Sequence, residues 1–208
     1  GHVRRAREEG LDARQANVLS ESILDEINLH GIGRLLITIP NDEVASLTAL
    51  HFSDFFDSTD IYQLAAGPES RHGSEGAMPK HLRGRPLFGE GTNYQSLQEQ
   101  VERGDEVTIL KLAEDFADEE QQEYYTAEDL STQYEDHTIS PLFILDDGGD
   151  LEIVSEMDQF RMDPDDRLLA LAEPGMDEPV PAGEESTTDD VLSEKGTIFE
   201  VAELPEDD

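Results

Sequence analysis

Residues 35–43, Leu-Leu-Ile-Thr-Ile-Pro-Asn-Asp-Glu, decide how the chain is read. Leu35, Leu36, Ile37, Thr38 and Ile39 form an uncharged, β-prone run with no polar alternation, the pattern of a strand covered on both faces in the centre of a parallel sheet. Pro40 ends it, because proline has no N–H to give to a ladder. Asn41 is an N-cap residue, and Asp42 and Glu43 fall in the first turn of the helix that follows, where negative charge meets the positive end of the helix dipole. That helix is expected to place Val44, Leu47, His51 and Phe55 on one apolar face.

Working outward, the same alternation continues on both sides. Upstream, Val3 to Glu9 reads as a helix closed by Gly10, and Leu11 to Ala16 as a short strand. Ser20 then caps a helix whose Ile23, Leu24 and Ile27 share a face. Downstream, Thr59 to Leu64 supplies another strand. Helix and strand in this order predict an α/β fold with a partial doubly wound parallel sheet over residues 1–67, whose opening strand and glycine-rich turn would precede Val3. The chain opens Gly1-His2 rather than with Met, as a piece of a longer protein would.

Gly67 to Pro79 is rich in Gly, Pro and Ser, so residues 68–80 read as a linker. A small α+β domain is expected over residues 81–174. In it Thr92-Asn93-Tyr94-Gln95 fits a capping box, Tyr94, Leu97 and Val101 make a helical stripe, and Gly104 stops the helix. Val107 to Leu112 reads as a strand, and the acidic stretch Asp118 to Tyr134 as one or two surface helices. Pro141 to Leu145 and Leu151 to Val154 flank Asp146-Asp147-Gly148-Gly149-Asp150 as a β-hairpin. Arg167 to Ala172 is a further strand, entered through the turn Asp163-Pro164-Asp165-Asp166. Residues 175–208 form an acidic tail with too little apolar material to fold alone, apart from Thr197 to Val201 as an edge strand.

Charge separates the function classes. Fifty Asp and Glu face fourteen Lys and Arg, a formal net charge of −36. From Pro174 onward acids outnumber bases twelve to one, yet the body before it stays strongly acidic, so the charge belongs to the whole chain. This is the composition of a protein adapted to molar salt, where the Debye length falls to about 3 Å and self-repulsion is screened. It excludes a nucleic-acid partner, which requires a basic face to displace counterions. The chain has no Cys, hence no disulfide framework or thiolate chemistry, which fits a cytoplasmic address. No apolar run approaches the ~18–20 residues of a membrane span.

The motifs point away from catalysis. Gly31-Ile32-Gly33 falls at the end of a helix and reads as a cap and turn; Gly89-Glu90-Gly91 precedes a helix without a buried strand before it, so neither is a nucleotide turn. The Asp146–Asp150 segment lacks the spacing of a calcium loop and its distal Glu, and reads as a turn. His2, His30, His51, His72, His81 and His137 are not paired at metal-ligand spacing, and no Ser/His/Asp set is singled out. One local exception to the acidic pattern is Arg71, Lys80, Arg83 and Arg85. These four bases read as a patch that binds an anion, approaches a lipid headgroup surface, or clamps the protein's own carboxylates, the last requiring no ligand.

Residues 11–45 resemble the second half of the regulatory nucleotide-binding domain of the TrkA or RCK type, found in potassium-uptake subunits, potassium channels and cation:proton antiporters. The resemblance is carried by Gln15-Ala16-Asn17, Ile23 to Asn28, Leu35 to Ile39 and Asn41-Asp42-Glu43. Residues 81–97 and 162–174 look like the C-terminal tail of sodium/proton antiporters with such a domain. The resemblance implies a Rossmann-like first domain whose glycine fingerprint and ribose-binding acid would lie before Gly1, and it places Ala16 where the family has Gly. It further implies NAD(H) or ATP/ADP as cofactor of the intact domain, with Asn17 near the adenosine and Asn41 and Asp42 at the crevice. The function so implied is the cytoplasmic regulatory region of a cation:proton antiporter. Its partner would be a membrane-embedded transporter portion, in the same chain or a separate subunit, and the domain would pair as a homodimer. A free-standing TrkA-like subunit of a potassium transporter is the second reading. An NAD-dependent enzyme is the third, against which stand the missing fingerprint and the lack of a convergent acid, base and nucleophile.

Overall fold

In the computed structural model the described residues are 2–20, 23, 27, 29–67, 84–112, 124–135, 137–174 and 199–202. The chain opens with helix α1 (His2–Glu8), and Gly10, at φ 88°, turns it out of the helix. Residues 11–17 then have no regular structure, so the strand expected at Leu11 to Ala16 is not formed. Leu11 is 61% exposed and Arg14 pairs with Asp12, which leaves the segment no apolar face to bury against a sheet. Ile23 and Ile27 do enter the core, while Leu24 lies outside the described residues.

Strand β1 (Leu35–Ile37) runs parallel to β2 (Ile61–Gln63), which runs parallel to β3 (Arg85–Pro86). Leu35 stands opposite Ile61, and Tyr62 opposite Arg85. The order is β1-β2-β3, so β2 is central and all three of its residues are buried. The long apolar run of β1 is thus not the centre of the sheet. Leu36 is 37% exposed because, among the described residues, no strand pairs with the outer side of β1.

Between β1 and β2 lies helix α2 (Asp42–Phe52), with Asn41 as its N-cap. Its buried face is Ala45, Ser46, Thr48, Ala49 and Phe52, while Leu47 and, just beyond the helix, Phe55 are exposed. The face therefore lies one residue, about 100°, around from the expected Val44–Leu47–His51–Phe55 stripe. Small side chains let the helix backbone approach the sheet closely, and Ser46 Oγ accepts a hydrogen bond from the buried Gln63 side chain at 3.2 Å. Phe52 and Phe56 fill the space beyond with Ile37 and Ile61.

After β3 the backbone bends sharply at Phe88 (φ 63°) and Gly89 (φ 91°). A Cβ on Gly89 would sit 3.1 Å from the Met157 side chain, in a conformation that side chains rarely adopt. Helix α3 (Tyr94–Arg103) follows. Its capping box is Asn93 with Ser96, one residue later than the expected Thr92–Gln95 pairing, and Gly104 closes it at φ 104°. Thr92 instead turns its hydroxyl back to the Phe88 carbonyl. Tyr94 and Val101 of the expected stripe are exposed. Leu97 and Gln100 face inward, and the Gln100 side chain donates to Ser140 Oγ at 2.8 Å.

The larger sheet is antiparallel, built from β4 (Glu106–Leu112), β6 (Ile139–Leu145), β7 (Leu151–Ile153), β9 (Arg167–Ala172) and β10 (Phe199–Ala202) in the order β10-β4-β9-β6-β7. The β6–β7 hairpin turns at Asp146, whose carboxylate accepts from the Asp150 amide at 2.7 Å. β10 pairs with β4 from Phe199 opposite Leu112 to Ala202 opposite Ile109, the edge-strand position expected of that segment. Over one face lie β5 (Tyr125–Thr126), β8 (Arg161–Met162) and helix α4 (Ala127–Gln133). The acidic stretch around α4 is not simply surface. Tyr125, Leu130 and Tyr134 are buried on Leu110, Leu168 and Ala170, so this helix and ladder close the core of the larger sheet. The chain is therefore mixed α/β, with one small parallel sheet and antiparallel sheets after it. No helix among the described residues is long and apolar enough to cross a membrane.

Candidate ligand-binding site

In a parallel sheet the C-terminal ends of the strands and the starts of the following helices point the same way, and ligands of α/β proteins collect there. Here that edge gathers three pieces of chain. β1 leads through Pro40 to Asn41, whose Oδ1 accepts the Val44 amide at 2.9 Å. Asp42, next in line, accepts the Gly67 amide on Oδ2 at 3.2 Å, tying the end of β2 to the start of α2. The Ala65 amide donates to the Thr92 carbonyl at 2.9 Å, and Ala65 bridges Asn93, the cap of α3. Asn41 and Asp42, both expected at the crevice, lie at the start of α2, and Ala65, two residues before Gly67, touches the start of α3.

The electrostatics of this edge favour donors over anions. Asn41 and Asn93 already occupy amides at the two helix starts, and Asp42 and Glu43 set negative charge in the first turn of α2. Ribose hydroxyls suit such a surface; phosphate does not. Asn17 is part of an exposed turn: its Oδ1 accepts the Leu19 amide at 3.1 Å, and its carbonyl accepts from Ser20 Oγ at 2.9 Å. The hydrogen bonds of Asn17 among the described residues are within its own loop and do not reach Asn41 or Asp42.

A second site centres on Arg85, while Arg71, Lys80 and Arg83 lie outside the described residues. The Arg85 guanidinium carbon is 5.3 Å from the centroid of the Tyr62 ring, and its Nη1 donates to the Tyr62 hydroxyl at 3.2 Å. β3 and its loop rest against the β6–β7 hairpin through Leu87, Phe88, Phe143 and Ile153, with Phe88 and Phe143 edge to face at 5.2 Å. Arg34 adds a hydrogen bond from Nη1 to the Leu151 carbonyl at 2.5 Å. Between Arg85 and the hairpin is a cavity of about 180 Å³, lined by Tyr62, Arg85, Glu152, Ser155, Glu156 and Arg161 among others.

The polar groups of this cavity are unevenly satisfied. Arg161 lies with its guanidinium carbon 5.0 Å from the Tyr124 ring centroid and donates to the carbonyls of Phe160 (2.7 Å) and Asp158 (3.2 Å). Glu156 accepts a hydrogen bond from the Gln159 side chain. Ser155 is 7% exposed and its Oγ has no hydrogen-bond partner among the described residues. Among the described residues neither Arg85 nor Arg161 is in an ion pair. Ser155 and Arg161 carry no local sequence signal; only the packing of the hairpin against β3 makes them neighbours of Arg85.

Elsewhere the charges are structural. Asp105, whose side chain is fully buried, is held by Arg103 through Nε (2.9 Å) and Nη2 (2.6 Å), and the hydrogen bond raises the Arg103 pKa above its ordinary value. Glu173 stands 3.5 Å from Arg103 and 3.7 Å from His137, joining the end of β9 to that pair. No three His, Asp or Glu side chains among the described residues are placed to hold a metal ion. No protein-family model matches the chain, and no curated protein matches it.

Proposed function

We propose that the chain is a regulatory region of a cation:proton antiporter, acting at the cytoplasmic face of the membrane. In this reading it binds a nucleotide and biases a membrane-embedded exchanger through unequal affinity for two states, with no bond chemistry of its own. The observation that supports it best is the meeting of Asn41, Asp42, Gly67 and the start of α3 at the C-terminal edge of a parallel sheet. Asp42 and Asn41 would receive ribose or adenine donors there, and the phosphates would lie away from the acidic first turn of α2. Leu47, Leu50 and Phe55 stand exposed on or just beyond α2, an apolar strip of the kind that pairing of two copies would cover.

Calorimetric titration of NAD, NADH, ATP and ADP, in about 2 M KCl to screen self-repulsion, tests the reading. Expected is saturable binding of at least one of them, weakened about tenfold or more in Asp42→Asn, the loss that goes with one charge-assisted hydrogen bond. A folded chain that takes up none of the four would overturn nucleotide sensing by these residues.

A further inference from the structure

We draw no further inference here: the strongest candidate, the exposed apolar patch of Leu47, Leu50 and Phe55 on and just beyond α2, belongs to the pairing already proposed, and nothing in the structure shows what else would cover it.

Discussion

Asp166 sits in the turn before β9, where its carboxylate accepts the Asp163 amide at 2.8 Å. Burial raises its pKa above the ordinary 3.8, that amide pulls it back in part, and Asp163, Asp146 and Asp147 push it up again. The folded state therefore holds a proton that the unfolded state has already released between 3.8 and the raised value. This contribution to stability is full below 3.8 and disappears as pH climbs through the folded pKa. Asp166→Asn keeps an oxygen for the Asp163 amide and removes the charge. It should melt above wild type at pH 7, with the difference closing below about 3.8 in a pH series of thermal melts; a lower melting temperature at pH 7 would refute this. Residues of this kind, along with the caps Asn41 and Gly104 and the Asp146 turn, are legible in sequence because their partners lie within a few positions. Ser155 and Arg161 are not, because what makes them notable is a wall supplied by β3, far away in the chain.

At the scale of elements, β9 carries the core of the larger sheet. It lies between β4 and β6, with Leu168 and Ala170 fully buried. Leu168→Ala should cost about 2–5 kcal/mol, the range for a fully buried leucine, measured by denaturant unfolding in high salt, and a loss under about 1 kcal/mol would mean the layer of α4 and β8 does not pack on it as described. Gly84 illustrates a tighter limit: a Cβ there would lie 2.9 Å from the Ile61 carbonyl, in the way of β3 beside β2. Most strands of the larger sheet were readable from apolar runs and turn residues. Their rank in a sheet was not. The β1 run looks central because it is uninterrupted, but which strand is covered on both sides depends on which other segments have an apolar face to offer. Leu11 to Ala16 has none. The buried face of α2 lies one residue around from the expected stripe for a related reason: helical periodicity favours the large residues, whereas close contact with the sheet selects Ala45, Ser46 and Ala49.

For the whole molecule, net charge is the governing quantity. With a formal −36 over 208 residues, repulsion between acids should dominate stability at low ionic strength. The unfolding midpoint is expected to climb steadily from about 0.1 M to about 2 M KCl as the Debye length shrinks from ~10 Å to ~3 Å. A midpoint that is flat or falls over that range would show that the acids are spaced widely enough to ignore one another. This global property needed no structure, since it is a count. The cavity beside Arg85 did need one, because its walls come from two segments that no local pattern connects.

The pairing of β10 with β4 adds a point about concentration. Ala172 leaves the larger sheet and Phe199 returns to it beside β4, the neighbour of β9, so β10 resembles a ligand linked to its own receptor. Covalent linkage raises the effective concentration of β10 at β4 to the order of millimolar for short linkages, and to less as the linkage lengthens. The same strand from a neighbouring molecule would have to reach that concentration before it could compete for the β4 side that β10 covers.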